Sequence, residues 1–152
     1  MRIALYQPDI PQNTGNIFRL AACLGVSVDV IEPTGFFIDD KRLQRSLMDY
    51  IDYLDCTKHA DWEIFYQWSK THNYKLILLT TKSKKKYYEH KFNKNDILLF
   101  GRESAGVPEK IHQCVDDRLL IPMQKGLRSL NISSAVSMVT GEALRQLNSF
   151  NQ

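Results

Sequence analysis

The residues whose types and spacing could do chemistry gather in a few short stretches of this chain. Gly126, Arg128, Ser129 and Asn131 set one flexible backbone position, one fixed positive charge and two short polar side chains close together. Asn13, Asn16 and Arg19 place two amides and a guanidinium at the start of an apolar-periodic segment. Such a set suits a phosphate or a sugar, and equally a pair of helix caps beside a solvated arginine. Gly101-Arg102-Glu103-Ser104-Ala105-Gly106 has the glycine spacing of a P-loop, but Val107-Pro108 stand where the lysine and hydroxyl residue belong. Nucleoside triphosphate hydrolysis is not indicated. The first strand-to-helix loop lacks GxGxxG, which argues against a nicotinamide or flavin cofactor bound in the usual way. Lys82-Ser83-Lys84-Lys85-Lys86-Tyr87-Tyr88 joins lysines to tyrosines, the composition of an RNA contact loop and also of a solvated one.

Regular elements must position these groups. Ile3–Tyr6, Val28–Ile31, Leu76–Leu79, Ile97–Phe100 and Arg118–Ile121 are compact apolar runs fit for buried strands, with Tyr53-Leu54 a weaker one. Pro122 stops the last of them because it has no amide hydrogen for a ladder. Ile17, Leu20, Ala21 and Leu24 carry helical spacing after Asn13, and Gly25 closes that helix. Asp39–Arg45 reads as a short charged helix, and Asp61–His72 as a helix whose Trp62, Phe65 and Trp68 have core spacing. Pro108 starts a helix over Glu109–Cys114. Ile132, Ala135, Val136, Val139, Ala143, Leu144 and Leu147 form one apolar face, capped by Ser129 or Asn131 and extended by Phe150. Strands alternating with helices predict an α/β domain, a mostly parallel sheet with flanking helices and its site at the strands' carboxyl ends.

Composition sets the outer limits. The 152 residues, 43% hydrophobic and 24% charged, are expected to form a single domain over 1–152 with a real core. A net charge of +3 permits a nucleic-acid partner without demanding one. Cys23, Cys56 and Cys114 show no CxxC pair and read as structural thiols in a reducing compartment. No apolar run approaches the roughly 18 residues of a membrane helix, so the expected location is the cytoplasm, without a membrane partner.

Three stretches together carry a resemblance. NTGNIFR from Asn13, LLFGRESAGVP from Leu98 and IPMQKGLRSLN from Ile121 resemble the three motifs of the SPOUT RNA methyltransferases. The match is to the small single-domain branch that methylates the ribose of the tRNA wobble nucleotide. The likeness runs from the first strand to the last helix. Lys125 and Gly141 depart from it, standing where many relatives have proline and tyrosine.

The resemblance implies a deep C-terminal trefoil knot, a homodimer, S-adenosylmethionine as cofactor, no metal, and a tRNA anticodon stem-loop rather than DNA as partner. It also implies transfer of methyl to the 2′-hydroxyl of a wobble cytidine or modified uridine. Its catalytic positions fall on Arg19, Asn13, Glu103, Arg128 and Asn131. Its cofactor positions fall on Leu79, Gly101, Ile121 and Ser129. The alternatives are ribose methylation of another RNA such as ribosomal RNA, and a non-catalytic RNA-binding module of the same fold.

Overall fold

The structure, a computed structural model, describes residues 1–36, 43, 45 and 47–148. Its strands are β1 (Arg2–Tyr6), β2 (Ser27–Ile31), β3 (Cys56–His59), β4 (Lys75–Leu79), β5 (Asp96–Phe100) and β6 (Asp117–Leu119). All neighbours pair in parallel, in the order β3-β2-β1-β5-β4-β6. Helices α1 (Pro11–Leu24), α2 (Trp62–Thr71), α3 (Glu109–Cys114) and α4 (Ile132–Leu147) flank the sheet.

Strands β1, β4 and β5 read as near-continuous apolar runs because both faces of the sheet are covered there. On one face Ile3, Leu5, Val28, Val30, Leu98 and Phe100 pack with Ile17, Phe18 and Ala21 of α1 and Val136, Val139 and Ala143 of α4. On the other, Ala4, Tyr6, Ile31, Leu76, Leu78 and Leu99 pack with Trp62 and Phe65 of α2 and Ile111 of α3. The aromatic side chains of α2 are therefore core, as their spacing predicts.

Several boundaries differ from the sequence reading. The first helix begins at Pro11, not after Asn13, because proline's preset φ suits the first helical position and its missing amide hydrogen is not needed there. Asn13 and Asn16 accordingly lie inside α1 and are not its caps. Gly25 ends the helix in the left-handed conformation (φ 63°), its amide donating back to Ala21 and Ala22 carbonyls.

Tyr53-Leu54 is not a strand. Tyr53 ends a 3-10 turn, Met48–Tyr53, and the edge strand follows as β3. Its sequence, Cys-Thr-Lys-His, lacks apolar alternation because it is specified by polar contacts. His59 Nε2 and Asp29 Oδ1 lie 2.9 Å apart with both side chains buried, and Arg2 Nε donates to Asp29 Oδ2 at 2.7 Å. The sixth strand ends at Leu119, short of the expected Ile121, and Leu120 makes a single bridge to Lys86. The expected helix over Asp39–Arg45 lies, apart from Leu43 and Arg45, outside the described residues, as does Phe150.

Because β1 leads outward to β2 and β3 on one side and neighbours β5 on the other, the loops after β1 and β5 leave the sheet at its topological switch point. Crevices form at such points.

Candidate functional site

The loop after β5 is closed on itself. The Arg102 amide donates to the Gly106 carbonyl at 2.9 Å, and the Gly106 amide returns a bond to the Arg102 carbonyl at 2.8 Å. A Cβ on Gly101 would lie 2.5 Å from the Gly106 carbonyl carbon, so only glycine permits this approach of two backbones.

That loop is clasped to the one after β1. The Asp9 amide donates to Glu103 Oε2 and the Glu103 amide to Asp9 Oδ1, each at 3.2 Å. The Ser104 hydroxyl also donates to Asp9, and Arg102 Nη1 reaches Gln7 Oε1 at 3.5 Å. Burial pushes the Glu103 carboxyl above its ordinary value, and the neighbouring Asp9 carboxylate adds to the rise. Burial works the same way on Asp9, but its contact with the Glu103 carboxyl, then the bonds it receives from the Ser104 hydroxyl and from the Glu103 and Ser104 amides, hold it below the ordinary carboxylate range.

A relay of amides ties in the third stretch. Asn13 Nδ2 donates to Glu103 Oε1 at 3.2 Å, and Asn131 Nδ2 donates to Asn13 Oδ1 at 3.0 Å. Asn131 Oδ1 in turn accepts from the Ser133 amide at 2.9 Å, which caps α4. Of the two residues that the sequence offered as caps, Asn131 serves.

The lysine-rich segment after β4 has a task that its composition does not show. It lies along β6, with the Thr80 amide on the Leu119 carbonyl (2.9 Å), the Leu120 amide on the Lys85 carbonyl (2.7 Å) and the Tyr87 amide on the Leu120 carbonyl (2.9 Å). Lys85 pairs with Asp117, Lys82 with Glu109 at 3.6 Å and Lys86 with Glu89 at 3.6 Å. Three of the segment's four lysines, which the sequence left open between an RNA contact loop and a solvated one, thus each have a carboxylate partner within the chain, while Tyr87 packs on the core.

These loops enclose a cavity of about 550 Å³. Leu79, Phe100, Gly101, Ile121, Ile132 and Ala135 supply apolar wall, and Asn13, Glu103, Arg128, Ser129 and Asn131 supply polar groups. Size and lining suit a small organic ligand with a flat apolar part and a polar end. Every catalytic or cofactor position that the resemblance implies, except Arg19, lines this cavity. Arg19 stands on α1 six residues beyond Asn13, about 9 Å along the helix axis. It is exposed, with its guanidinium carbon 4.8 Å from the centre of the Tyr50 ring.

Thr80, Val107, His112 and Met123, to which the sequence reading gave no role, also line the cavity, as does Lys82 of the candidate RNA contact loop. His112 is only 5% exposed, and burial lowers its pKa, with Lys82 and Arg118 adding to the effect. Its place in α3 carries no sequence signal, since the cavity behind it is formed by loops distant in the chain. Among the described residues, no group of three or more His, Cys, Asp or Glu side chains could hold a metal ion, and no helix is long and apolar enough to cross a membrane. The three cysteines are unpaired, and burial pushes the Cys56 thiol up to about 11.

The sequence profile of the SpoU rRNA Methylase family matches residues 1–141. A tRNA (cytidine(34)-2'-O)-methyltransferase of Beijerinckia indica subsp. indica is 48% identical over 145 residues, covering 95% of this chain and 91% of that protein. One of Escherichia coli K12 is 41% identical over 149 residues, covering 97% and 94%. A solved structure described as giving structural insights into the 2-OH methylation of C/U34 on tRNA superposes with a TM-score of 0.92 at 37% identity, covering 97% of this chain and 95% of that one.

Proposed function

The chain belongs to the SpoU rRNA Methylase family, and from that premise we propose that it transfers a methyl group from S-adenosylmethionine to the 2′-hydroxyl of the tRNA wobble nucleotide, cytidine or modified uridine. The observation that carries this reading is the convergence of all three motif stretches on one cavity, bonded to one another through Glu103, Asn13 and Asn131.

The residues present fit the cofactor. The Gly101–Gly106 hairpin leaves room for close backbone approach, and Leu79 and Ile121 offer apolar walls and strand-end backbone groups for an adenine. When bound, S-adenosylmethionine supplies a methyl group on a sulfonium, an electrophile that needs no metal activation. Ser129 and Asn131 offer a hydroxyl and an amide at the polar end, and Arg128 offers a fixed charge there. Glu103 holds Asn13, and Asn13 holds Asn131, so the relay sets the angle at which α4 and its preceding loop meet the cavity. Arg19 fixes the phosphate and the reacting hydroxyl. A guanidinium offers five N–H donors and no acceptor, so its work is alignment, which reduces the entropic part of the barrier.

A single domain with a net charge of +3 has little surface to hold an anticodon stem-loop beside its cofactor cavity. A homodimer through α1 and α4 doubles it. Ile10 before α1 and Leu130 and Met138 at α4 are each at least 40% exposed, a set of apolar groups suited to a two-fold contact. The absence of Arg19 from its own chain's cavity supports the same arrangement, in which Arg19 serves the partner's cofactor. The resemblance implies a deep C-terminal knot, and the bacterial relatives favour a cytoplasmic location.

The test is methylation of tRNA by the purified protein, read by mass spectrometry of the nucleosides. A 2′-O-methylated wobble nucleotide is expected; methyl incorporation elsewhere, or none, overturns the reading. Arg19→Ala is expected to keep cofactor affinity by calorimetry and lose methylation, and normal turnover in that variant would remove Arg19 from the mechanism.

A further inference from the structure

Resting on the reading of the cavity as the seat of S-adenosylmethionine, we infer that His112 is a cofactor-binding residue that recognises the adenine ring, by a hydrogen bond between its uncharged imidazole and the polar edge of that ring. It lies outside the three motif stretches. His112 stands on α3, whose Ile111 packs on the face of the sheet opposite α1 and α4. It therefore meets the cavity from the side away from the Glu103–Asn13–Asn131 relay, a side it shares with Leu78 and Val107.

The imidazole is 5% exposed and makes no hydrogen bond among the described residues. The sealed side-chain atoms without a partner there are Asp96 Oδ1, Arg102 Nε and Thr140 Oγ1; the His112 nitrogens are not among them, so the exposure the residue keeps reaches its ring nitrogens. A buried polar group of this kind is costly to a fold unless something outside the chain answers it. The charge of the ring says what that is. Burial lowers its pKa and Lys82 lowers it further; Glu109 opposes the fall and Arg118 adds to it, so the ring is uncharged near neutral pH. An uncharged imidazole is a poor receptor for a carboxylate, and Lys82 in the same wall is already paired with Glu109 at 3.6 Å. It carries one donor and one acceptor nitrogen, and an adenine edge presents an amino donor beside ring acceptors, so either tautomer finds a match. The relay side, with Arg128, Ser129 and Asn131, offers the charge and polar groups that suit the amino-acid end, which leaves the nucleoside end to His112.

The experiment uses the full chain with two probes: S-adenosylhomocysteine, the demethylated cofactor, and 5′-methylthioadenosine, which keeps the adenosine and the sulfur but has no amino-acid end. Proton–nitrogen NMR spectra of the side chains of all 4 histidines are recorded with and without each probe at millimolar concentration, His112 being assigned by its loss from His112→Gln and His112→Leu. Both probes should shift the His112 ring nitrogens and fix one uncharged tautomer, while His59, His72 and His90 stay unmoved. By calorimetry His112→Leu should bind S-adenosylhomocysteine about five- to tenfold more weakly, and His112→Gln, which keeps a donor and an acceptor, should lose less. The Tm of His112→Leu without ligand should not fall, because an apolar group replaces an unpartnered polar one; a merely structural histidine would give the opposite. Unchanged His112 signals, a response to S-adenosylhomocysteine alone, wild-type affinity in His112→Leu, or an affinity loss matched by a lower Tm would overturn the inference. If wild type binds S-adenosylhomocysteine and any of these results appears, His112 alone loses its role. If wild type binds neither probe, the cofactor reading and this inference fall together.

Discussion

Asn131 does two jobs with the two ends of one amide. Its Oδ1 caps α4 and its Nδ2 donates to Asn13. Substitution can separate them. Asn131→Asp keeps the acceptor and places a negative charge at a helix N-terminus, where the dipole favours it, but has no donor for Asn13 Oδ1. The variant should retain the wild-type Tm and lose about tenfold in methylation, the value of one hydrogen bond in the transition state. Asn131→Ala loses both, and should unfold with about 1 kcal/mol less stability as well. Equal activity in wild type and Asn131→Asp, measured beside thermal unfolding, would show that the relay to Asn13 is dispensable.

Two glycines in different elements predict opposite outcomes. Gly101 stands where the loop after β5 folds back on itself, and a methyl group there meets the Gly106 backbone, which cannot move without breaking the paired bonds between residues 102 and 106. Gly101→Ala should lose about 2 kcal/mol of stability through overpacking, together with cofactor binding. Gly141 lies within α4, and a Cβ added there would meet nothing within 4 Å. Gly141→Ala should therefore raise stability by about 0.5–1 kcal/mol, by removing backbone freedom from the unfolded chain. Denaturant unfolding of both variants, with calorimetric titration of the cofactor, checks the pair. A destabilised Gly141→Ala would point to a contact across α4 made by another chain.

For the whole molecule the question is whether one site needs two chains. Arg19→Ala lacks the arginine and Ser129→Trp fills the cavity, so neither homodimer should methylate. In mixed dimers the Ser129→Trp chain would supply Arg19 to the open cavity of its Arg19→Ala partner. Random pairing makes half the dimers mixed, each with one complete site, so about a quarter of wild-type activity should return. Sedimentation at micromolar concentration should give the dimer mass. A monomer that is fully active, or verified mixed dimers without activity, would count against the shared site.

Along the sheet, sequence alone determined most of what is observed. Strands covered on both faces are mostly apolar, so β1, β4 and β5, and β2 apart from its buried Asp29, stand out within a residue or two of their ends, and a 3.6-residue period marks α1 and α4. Local chemistry also marked Gly25 as a helix terminator and left Asn131 as one of two caps. The edge strand β3 was not visible, since its side chains answer to Asp29 and not to a hydrophobic period. Motif likeness pointed to Asn13, Glu103 and Asn131, yet their bonds to one another, like the seating of Tyr50 under Arg19, exist only in the folded molecule. Asn13 and Glu103 are 90 residues apart, and Asn13 and Asn131 are 118 apart. Residue type and local spacing encode backbone conformation and which face is buried; contacts across such separations arise only when the strand order brings the loop ends together.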